Sequence, residues 1–226
     1  MAAIPKLFYF GIQGRAEPAR LVLAAAGVAF EFVSLTREES GKLKQDLAHY
    51  KFGQVPRYVD DTVDLCQLLP IVRYLGRKHG LAGKTEAEQA AVEEVIEGNN
   101  DLHGMAVMTF RQANTQEQWD AIKVRFWKEH IEPGSETAAE TRGVHVTYLS
   151  RILASNKTGY FVGQSLTIAD LLVADTLELV MRVYKDHFQQ AWPDLVKHHD
   201  LVMGQEKVAA YLQGPQRLSP MELKFA

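Results

Sequence analysis

The feature that most limits how this chain can fold is a change of periodicity near residue 82. Before it, short apolar runs alternate with helical stretches; from Ala90 onward only helical periodicity is found. Lys6 to Phe10, KLFYF, is dense in apolar and aromatic residues and reads as a buried strand. Gly14-Arg15 opens a helical stretch, AEPARLVLAAAG. Pro18 is tolerated there because it falls in the first turn, where its missing N–H removes no helical bond. Gly27 supplies the C-cap. Phe30 to Leu35 reads as a second strand, and Glu38 to Tyr50 as a polar helix or irregular segment. Arg57 to Asp60 and Val63 to Cys66 flank Asp61-Thr62 as a hairpin. Ile71 to His79 is a helix stopped by Gly80. A βαβ unit followed by a hairpin and a helix predicts a mixed four-stranded sheet with helices on its faces.

The second part is expected to be all-helical. LAGKTEAEQ, Leu81 to Gln89, is a short polar connection, and helices are predicted near 88–113, 117–131, 135–155, 167–184, 192–200 and 204–213. Thr167-Ile-Ala-Asp170 is a strong start signal: Thr167 and Asp170 can cap each other's N–H, with Leu166 and Leu171 placed for a hydrophobic staple. The chain of 226 residues is comfortable for two domains. The expected division is 1–81, a linker at 82–88, and an all-helical domain at 89–226.

Composition narrows the function. A net charge of −3 and a pI near 6.2 give no electrostatic case for nucleic acid or an anionic membrane. No apolar run approaches the roughly 18 residues that span a bilayer, and the N-terminus lacks a signal-peptide pattern. Cys66 is the single cysteine, which excludes an internal disulfide framework and fits a reducing compartment; the expected location is cytoplasmic. No CxxC follows the first strand, which excludes thioredoxin-like disulfide chemistry. His198-His199 and the other histidines have no zinc-ligand spacing, and no Gly-rich nucleotide loop is present. No metal is expected.

Four strings then occur in order: YF…GRAEPAR at 9–20, FGQVP at 52–56, Gln67 followed by IVRYLGRKHGL to residue 81, and VGQSLTIAD at 162–170. With the predicted element order, they make the chain resemble the cytosolic glutathione S-transferase superfamily over essentially its whole length. The resemblance implies a thioredoxin-like N-terminal α/β domain and an all-α C-terminal domain. Its opening is similar to the tyrosine-type classes sigma, pi and mu, with sigma favoured. The implied function is detoxification: glutathione, as co-substrate, is conjugated to small apolar electrophiles. The same fold also includes non-catalytic ligand carriers and crystallin-like structural proteins, and the same thiolate permits isomerase or peroxidase chemistry.

On this resemblance Tyr9 is the catalytic residue. The thiolate is the nucleophile. A thiol of pKa near ~8.5 is mostly protonated at neutral pH, and each unit of lowering needs about 1.4 kcal/mol of preferential thiolate stabilisation. A phenol O–H aimed at sulfur supplies part of it as a charge-assisted hydrogen bond. By spacing alone, Tyr9 reads equally as a core aromatic of the first strand. The other implied glutathione contacts are Gln54, Val55 and Pro56, with Pro56 in a cis peptide and Val55 presenting its backbone to the cysteinyl part. Gln67 and the backbone of Leu68 take the γ-glutamyl end. The family usually has Ser where this chain has Leu68, so one hydroxyl contact is lost. The Trp usual upstream of Lys44 is replaced by Arg37 and Glu38.

For Arg15 two readings stand: a contact to the glutamyl carboxylate, or a pair with Glu17 or an interface acid. Lys44 is a candidate for the glycyl carboxylate or a solvated lysine. Asp101 shares a helix face with Glu93 and Glu97; it is part of an acidic stripe, an inter-subunit contact to the glutamyl amine, or, as in some sigma relatives, part of a divalent-cation site between subunits, against which Asn100 stands where an acid is expected. Phe52 matches the aromatic key of a homodimer. Phe10, Ile12, Met105, Met108 and Phe110 are the expected second-substrate lining, with the tail near Phe225 as a cover.

Overall fold

The computed structural model describes residues 3–134 and 144–223, and the chain packs as two units, the first of which takes in a segment from near the C-terminus. The first contains β1 (Lys6–Phe10), a 3-10 turn (Gly14–Ala16), α1 (Glu17–Ala26), β2 (Glu31–Leu35), α2 (Arg37–Lys42), β3 (Arg57–Val59), β4 (Asp64–Cys66) and α3 (Leu68–Lys78). The sheet order is β2-β1-β3-β4. β1 runs parallel to β2, and the β1–β3 and β3–β4 pairs are antiparallel. This is the expected mixed four-stranded sheet of a thioredoxin-like domain.

Local chemistry explains the element ends. α1 begins with Pro18 in its first turn and ends at Gly27, whose φ of 70° lets its N–H reach the carbonyls of Leu23 and Ala24. Every residue from Glu17 to Leu23 is buried. The polar stretch after β2 yields only the short α2, started by reciprocal hydrogen bonds between Thr36 and Glu39. The hairpin turn is organised by Asp60. Its carboxylate accepts the N–H groups of Thr62 and Val63, both at 2.9 Å. It also accepts from the Lys78 ammonium at 2.7 Å and the hydroxyls of Tyr74 and Tyr58 at 2.8 and 3.1 Å. One side chain therefore ties the β3–β4 turn to α3.

The second unit holds α4 (Glu86–Phe110), α5 (Gln116–Phe126), α6 (Val144–Asn156), α7 (Ile168–Ala191) and α8 (Pro193–Met203). The expected helix 117–131 instead ends at Phe126 in a wider turn, Trp127–Ile131. That turn is fixed by the Trp192 indole, which donates to the Ile131 carbonyl at 2.7 Å. The expected helix end at 184 is a kink, not a stop: Tyr184 leaves helical geometry, its hydroxyl donates to the Lys123 carbonyl, and α7 continues to Ala191. Of the expected helix 135–155, residues 135–143 lie outside the described residues. The core is centred on Phe110, whose ring meets Trp119, Phe126 and Tyr184. At the start of α7, fully buried Asp170 accepts from the Thr167 N–H and hydroxyl and from the Phe161 N–H, each at 2.8 Å. No helix among the described residues is long and apolar enough to cross a membrane.

The chain then departs from the expected division. Gly204–Met221 packs with the first unit, not with the helical residues before it. It contains α9 (Glu206–Gln213), which buries Val208 and Tyr211. The Tyr211 hydroxyl donates to the Glu17 carboxylate of α1 at 3.0 Å. Beyond α9, the carbonyls of Leu218 and Ser219 accept from the side chain and the N–H of Gln13. Helical periodicity at 204–213 could not reveal this, because the period shows a face and not what covers it.

Asp60→Asn tests the hairpin tie. Burial alone would raise this carboxyl, but Lys78, the two turn N–H groups and Tyr74 outweigh it and hold it well below the usual carboxylate range. A folded-state value below the unfolded one gives stability that is present above about pH 4 and lost as pH falls through the folded value. Denaturant melts at pH 7 should show the variant less stable by about 2 kcal/mol. The gap between variant and parent should shrink as the pH is lowered below about 4.

Candidate functional site

The candidate residues of the first unit gather at one end of its sheet. Tyr9 is near the C-terminal end of β1, in register with Ser34 of β2. Phe8 pairs with Arg57, and Arg57 with Cys66. The end of β1, the entry to β3 at Pro56 and the exit of β4 at Gln67 are therefore neighbours. α1 and α3 both begin from connections at this end, so their N-termini give it a favourable potential for an anion.

The Tyr9 ring is buried, 7% exposed, and its hydroxyl accepts a hydrogen bond from the Arg15 N–H at 2.9 Å. A phenol has one O–H to give. With one lone pair occupied by a backbone N–H, the proton is left for a second partner. Gly14 makes this approach possible. Its φ is +46°, and a Cβ built there would lie 2.7 Å from the Tyr9 oxygen and 2.9 Å from a ring carbon. Phe10 lies beside Tyr9, the rings tilted by 57° with centroids 5.2 Å apart, and it and Ile12 are half-buried.

The loop carrying Gly14 is gripped by Arg20, which sequence reasoning did not single out. The Arg20 guanidinium donates to the carbonyls of Gln13 at 3.1 Å and Ile12 at 3.3 Å, and to Glu17 at 3.0 Å. Both charged side chains are only 1% exposed. The signal was in the sequence: EPARLVLAAA is otherwise apolar all round, and such a helix is buried on every side, charges included. Burial pushes the Glu17 carboxyl up, more than Arg20 and Arg217 pull it down. This pairing takes Glu17, though not an interface acid, away from Arg15 as a partner. Glu17 is held by Arg20, Tyr211 and Arg217, while the exposed Arg15 side chain makes no ion pair among the described residues.

At the second cluster, the Val55–Pro56 peptide is cis. The Gln67 N–H donates to the Pro56 carbonyl at 3.1 Å, and the Gln67 side-chain amide donates to the Gln54 side-chain oxygen at 2.9 Å. Gln67 has φ 77° and ψ 134°, a region sparsely populated by any residue but Gly, and such outliers cluster at functional sites. Leu68 is the first residue of α3, which has no side-chain cap and no acid in its first turn. The N–H groups of Leu68 and Leu69 have no partner within the helix, and Pro70 has none to offer. Lys44 is exposed and its stem lies against Gly53, beside Gln54. Phe52 is 64% exposed. Cys66 is buried, with its thiol 3.5 Å from the His49 carbonyl.

The remaining candidates are on α4 of the second unit. Asp101, Met105 and Met108 recur at i, i+4 and i+7, off the face of Leu102, Ala106 and Phe110 that the unit buries. Asp101 and Met108 are exposed. Phe110, 3% exposed, is taken up by the aromatic core. Phe225 lies outside the described residues. A groove of about 370 Å³ runs between the end of α1 and α9, lined by Ala24, Val28, Phe30, Lys207 and Tyr211 among others, and contains none of the candidates. Among the described residues no set of three or more His, Cys, Asp or Glu side chains could hold a metal ion.

Gly14→Ala should displace the Tyr9 ring and strain the loop. A residue with a Cβ at this φ costs on the order of 1–2 kcal/mol. Denaturant unfolding should show that loss, and a crystal structure of the variant should show the Arg15–Tyr9 bond lengthened or broken.

Comparison with known proteins agrees with this arrangement. The family model for the glutathione S-transferase N-terminal domain matches residues 5–77, and that for the C-terminal domain matches residues 101–215. Glutathione S-transferase 1 of Ascaris suum is 38% identical over 172 residues, 76% of this chain and 78% of its own. Glutathione S-transferase 4 of Caenorhabditis elegans is 35% identical over 182 residues, 78% of this chain and 80% of its own. The crystal structure of the glutathione S-transferase from Ascaris lumbricoides superposes with a TM-score of 0.76 at 32% identity, covering 93% of this chain and 96% of that one. The matches spread over the nematode, pi, sigma and alpha classes and do not single out one of them. With both domain models matched and relatives of this identity covering most of its length, the chain belongs to the glutathione S-transferase family.

Proposed function

We propose that this chain is a cytoplasmic, tyrosine-type transferase, nearest to the sigma class in its opening sequence, that binds glutathione and conjugates it to small apolar electrophiles. The observation that carries this reading is the Arg15 N–H bound to the Tyr9 hydroxyl at 2.9 Å, which leaves the phenol proton to be donated to a sulfur anion. Tyr9 stays protonated throughout. The thiol proton leaves to solvent, and the thiolate forms a bond to an electrophilic carbon, which takes the electron pair into a leaving group or an opened double bond. An electrophile that is a peroxide or an isomerisable double bond would meet the same thiolate.

The rest of the glutathione molecule is assigned by chemistry. The γ-glutamyl carboxylate goes to the uncapped N-terminus of α3, to the N–H groups of Leu68 and Leu69, with Gln67 and Arg15 beside it. The cysteinyl part lies along Val55, and the glycyl carboxylate meets Lys44. Asp101 of a second subunit takes the glutamyl amine, and exposed Phe52 is the key into that subunit. Phe10 and Ile12, half-buried beside Tyr9, line the electrophile side. Phe110 is left out of the lining because its surface is already buried. A non-catalytic carrier or structural role is the competing reading, and Leu68 and the missing Trp upstream of Lys44 are the features that favour it.

The test is a near-ultraviolet titration of bound glutathione thiolate against pH. Tyr9→Phe should raise the bound thiol pKa by about one to two units, since hydrogen bonds to charged groups are worth about 1.5–3 kcal/mol. A parent protein that binds no glutathione at millimolar concentration would favour the carrier reading instead. Leu68→Ser should tighten glutathione binding roughly tenfold by restoring a hydroxyl to the carboxylate, measured by calorimetry. Phe52→Ala should shift a dimer toward monomer in sedimentation equilibrium, without loss of the folded state.

A further inference from the structure

Arg20, Gln13 and the segment Leu218–Ser219 act on the loop that sets the direction of the Tyr9 hydroxyl. The Arg15 N–H occupies a lone pair of the Tyr9 oxygen at 2.9 Å, which leaves the hydroxyl proton for another partner. Where that N–H sits is decided by Gly11 to Gly14, a short irregular connection. Its N–H groups make two bonds, Ile12 to the Phe10 carbonyl at 2.7 Å and Gln13 to the Ser219 carbonyl at 2.9 Å. The carbonyls of Ile12 and Gln13 are held by the two terminal nitrogens of Arg20. The Gln13 side chain adds a 2.8 Å bond to the Leu218 carbonyl.

The buried charge that does this is costly. Replacing a buried ion pair with apolar side chains of similar volume is often neutral or stabilising, so Glu17–Arg20 is not explained by stability. The Arg20 Nε is buried with no hydrogen-bond partner, a further cost that an apolar residue would not carry. What an apolar residue could not do is hold two consecutive carbonyls. The planar guanidinium has five donors in a fixed fork, and its own position is fixed from both sides. Phe32 lies beneath it, 4.6 Å from the ring centroid. Glu17 pairs with it and is itself held by the Tyr211 hydroxyl and by Arg217 at 3.5 Å. Tyr211, near the C-terminal end of α9, and the following segment Arg217–Ser219 thus converge on Arg20 and the Tyr9 loop.

We propose that Arg20 is a positioning residue for the thiolate-stabilising hydroxyl of Tyr9, and that Leu218–Ser219 is a strap that completes the same loop through Gln13. This rests on the reading of Tyr9 as donor to the glutathione sulfur, and the experiment separates the two. The bound-thiolate titration is run on the parent, Tyr9→Phe, Arg20→Lys, Gln13→Ala and Tyr9→Phe/Arg20→Lys, with glutathione as the probe. Arg20→Lys keeps a cation for Glu17 and loses the fork. It should raise the bound thiol pKa by about one unit, a tenfold fall in thiolate at a pH below the pKa. Glutathione affinity at a pH where the thiol is protonated should change less than about twofold, a split that general loosening of the domain would not give.

Gln13→Ala should give a smaller rise of the same sign. The double variant should show no more than Tyr9→Phe alone, because Arg20 acts only through Tyr9. A folded Arg20→Lys with the parental thiol pKa, or a double variant in which both shifts add in full, overturns the inference. Should Arg20→Lys not fold, Gln13→Ala decides: a raised pKa supports the strap and the loop, and a parental value overturns them. If Tyr9→Phe itself leaves the pKa at the parental value, the donor reading falls, and the positioning inference with it. If only Tyr9→Phe shifts it, the donor reading stands and the positioning inference alone is lost.

Discussion

The hydrogen bond from the Arg15 N–H to the Tyr9 hydroxyl joins residues six apart across the turn that leaves the first strand, and the geometry of that end of the sheet is organised around it. For the chain to return so closely, the turn must pass directly over the ring, which only a residue without Cβ allows at position 14. The helix that follows must then start at once, and Pro18 in its first turn favours that start. A phenol in a strand would be an ordinary core aromatic. A phenol whose oxygen already accepts from a backbone amide keeps its own proton for another partner.

The remaining features act on the same end of the sheet with weaker individual effects. The sheet order brings the entry of β3 and the exit of β4 alongside β1, so the cis Val55–Pro56 peptide and Gln67 come to the site without any long connection. Gln67 is held in an unfavourable backbone conformation by its N–H bond to Pro56 and its side-chain bond to Gln54. This strain turns the chain into α3 with the first amides of that helix uncapped. Helix N-termini, a fixed hydroxyl proton and an exposed cation at Arg15 all favour negative charge there. The second unit has its own internal logic, in which Asp170 closes the N-terminus of α7 inside the core and an aromatic group around Phe110 holds the long helices together.

Much of this was legible in the chain. The βαβ-hairpin-helix order, the glycine stop of the first helix and the Thr167–Asp170 start signal each rest on a local rule with a physical cause, and local rules survive folding. What was not legible depends on partners distant in sequence. Nothing near residue 184 says that Lys123 will accept its hydroxyl and let α7 run on past a kink. Nothing in 204–213 says that the segment will return to α1. Glu17 and Arg20 were visible as charges in an apolar helix, yet the pair that suggested itself was Arg15 with Glu17, two residues apart, when i and i+3 is the spacing that places side chains on one face. The backbone strain at Gln67 has no sequence signature, because glutamine is not a residue chosen for positive φ.

The most direct measurement of the central claim is a high-resolution crystal structure of the protein with glutathione bound. The glutathione sulfur should lie within hydrogen-bond distance of the Tyr9 oxygen, with the Arg15 N–H still donating to that oxygen and the γ-glutamyl carboxylate at the amides of Leu68 and Leu69. A sulfur placed away from Tyr9, or a Tyr9 hydroxyl released from Arg15 and turned from the ligand, would contradict it.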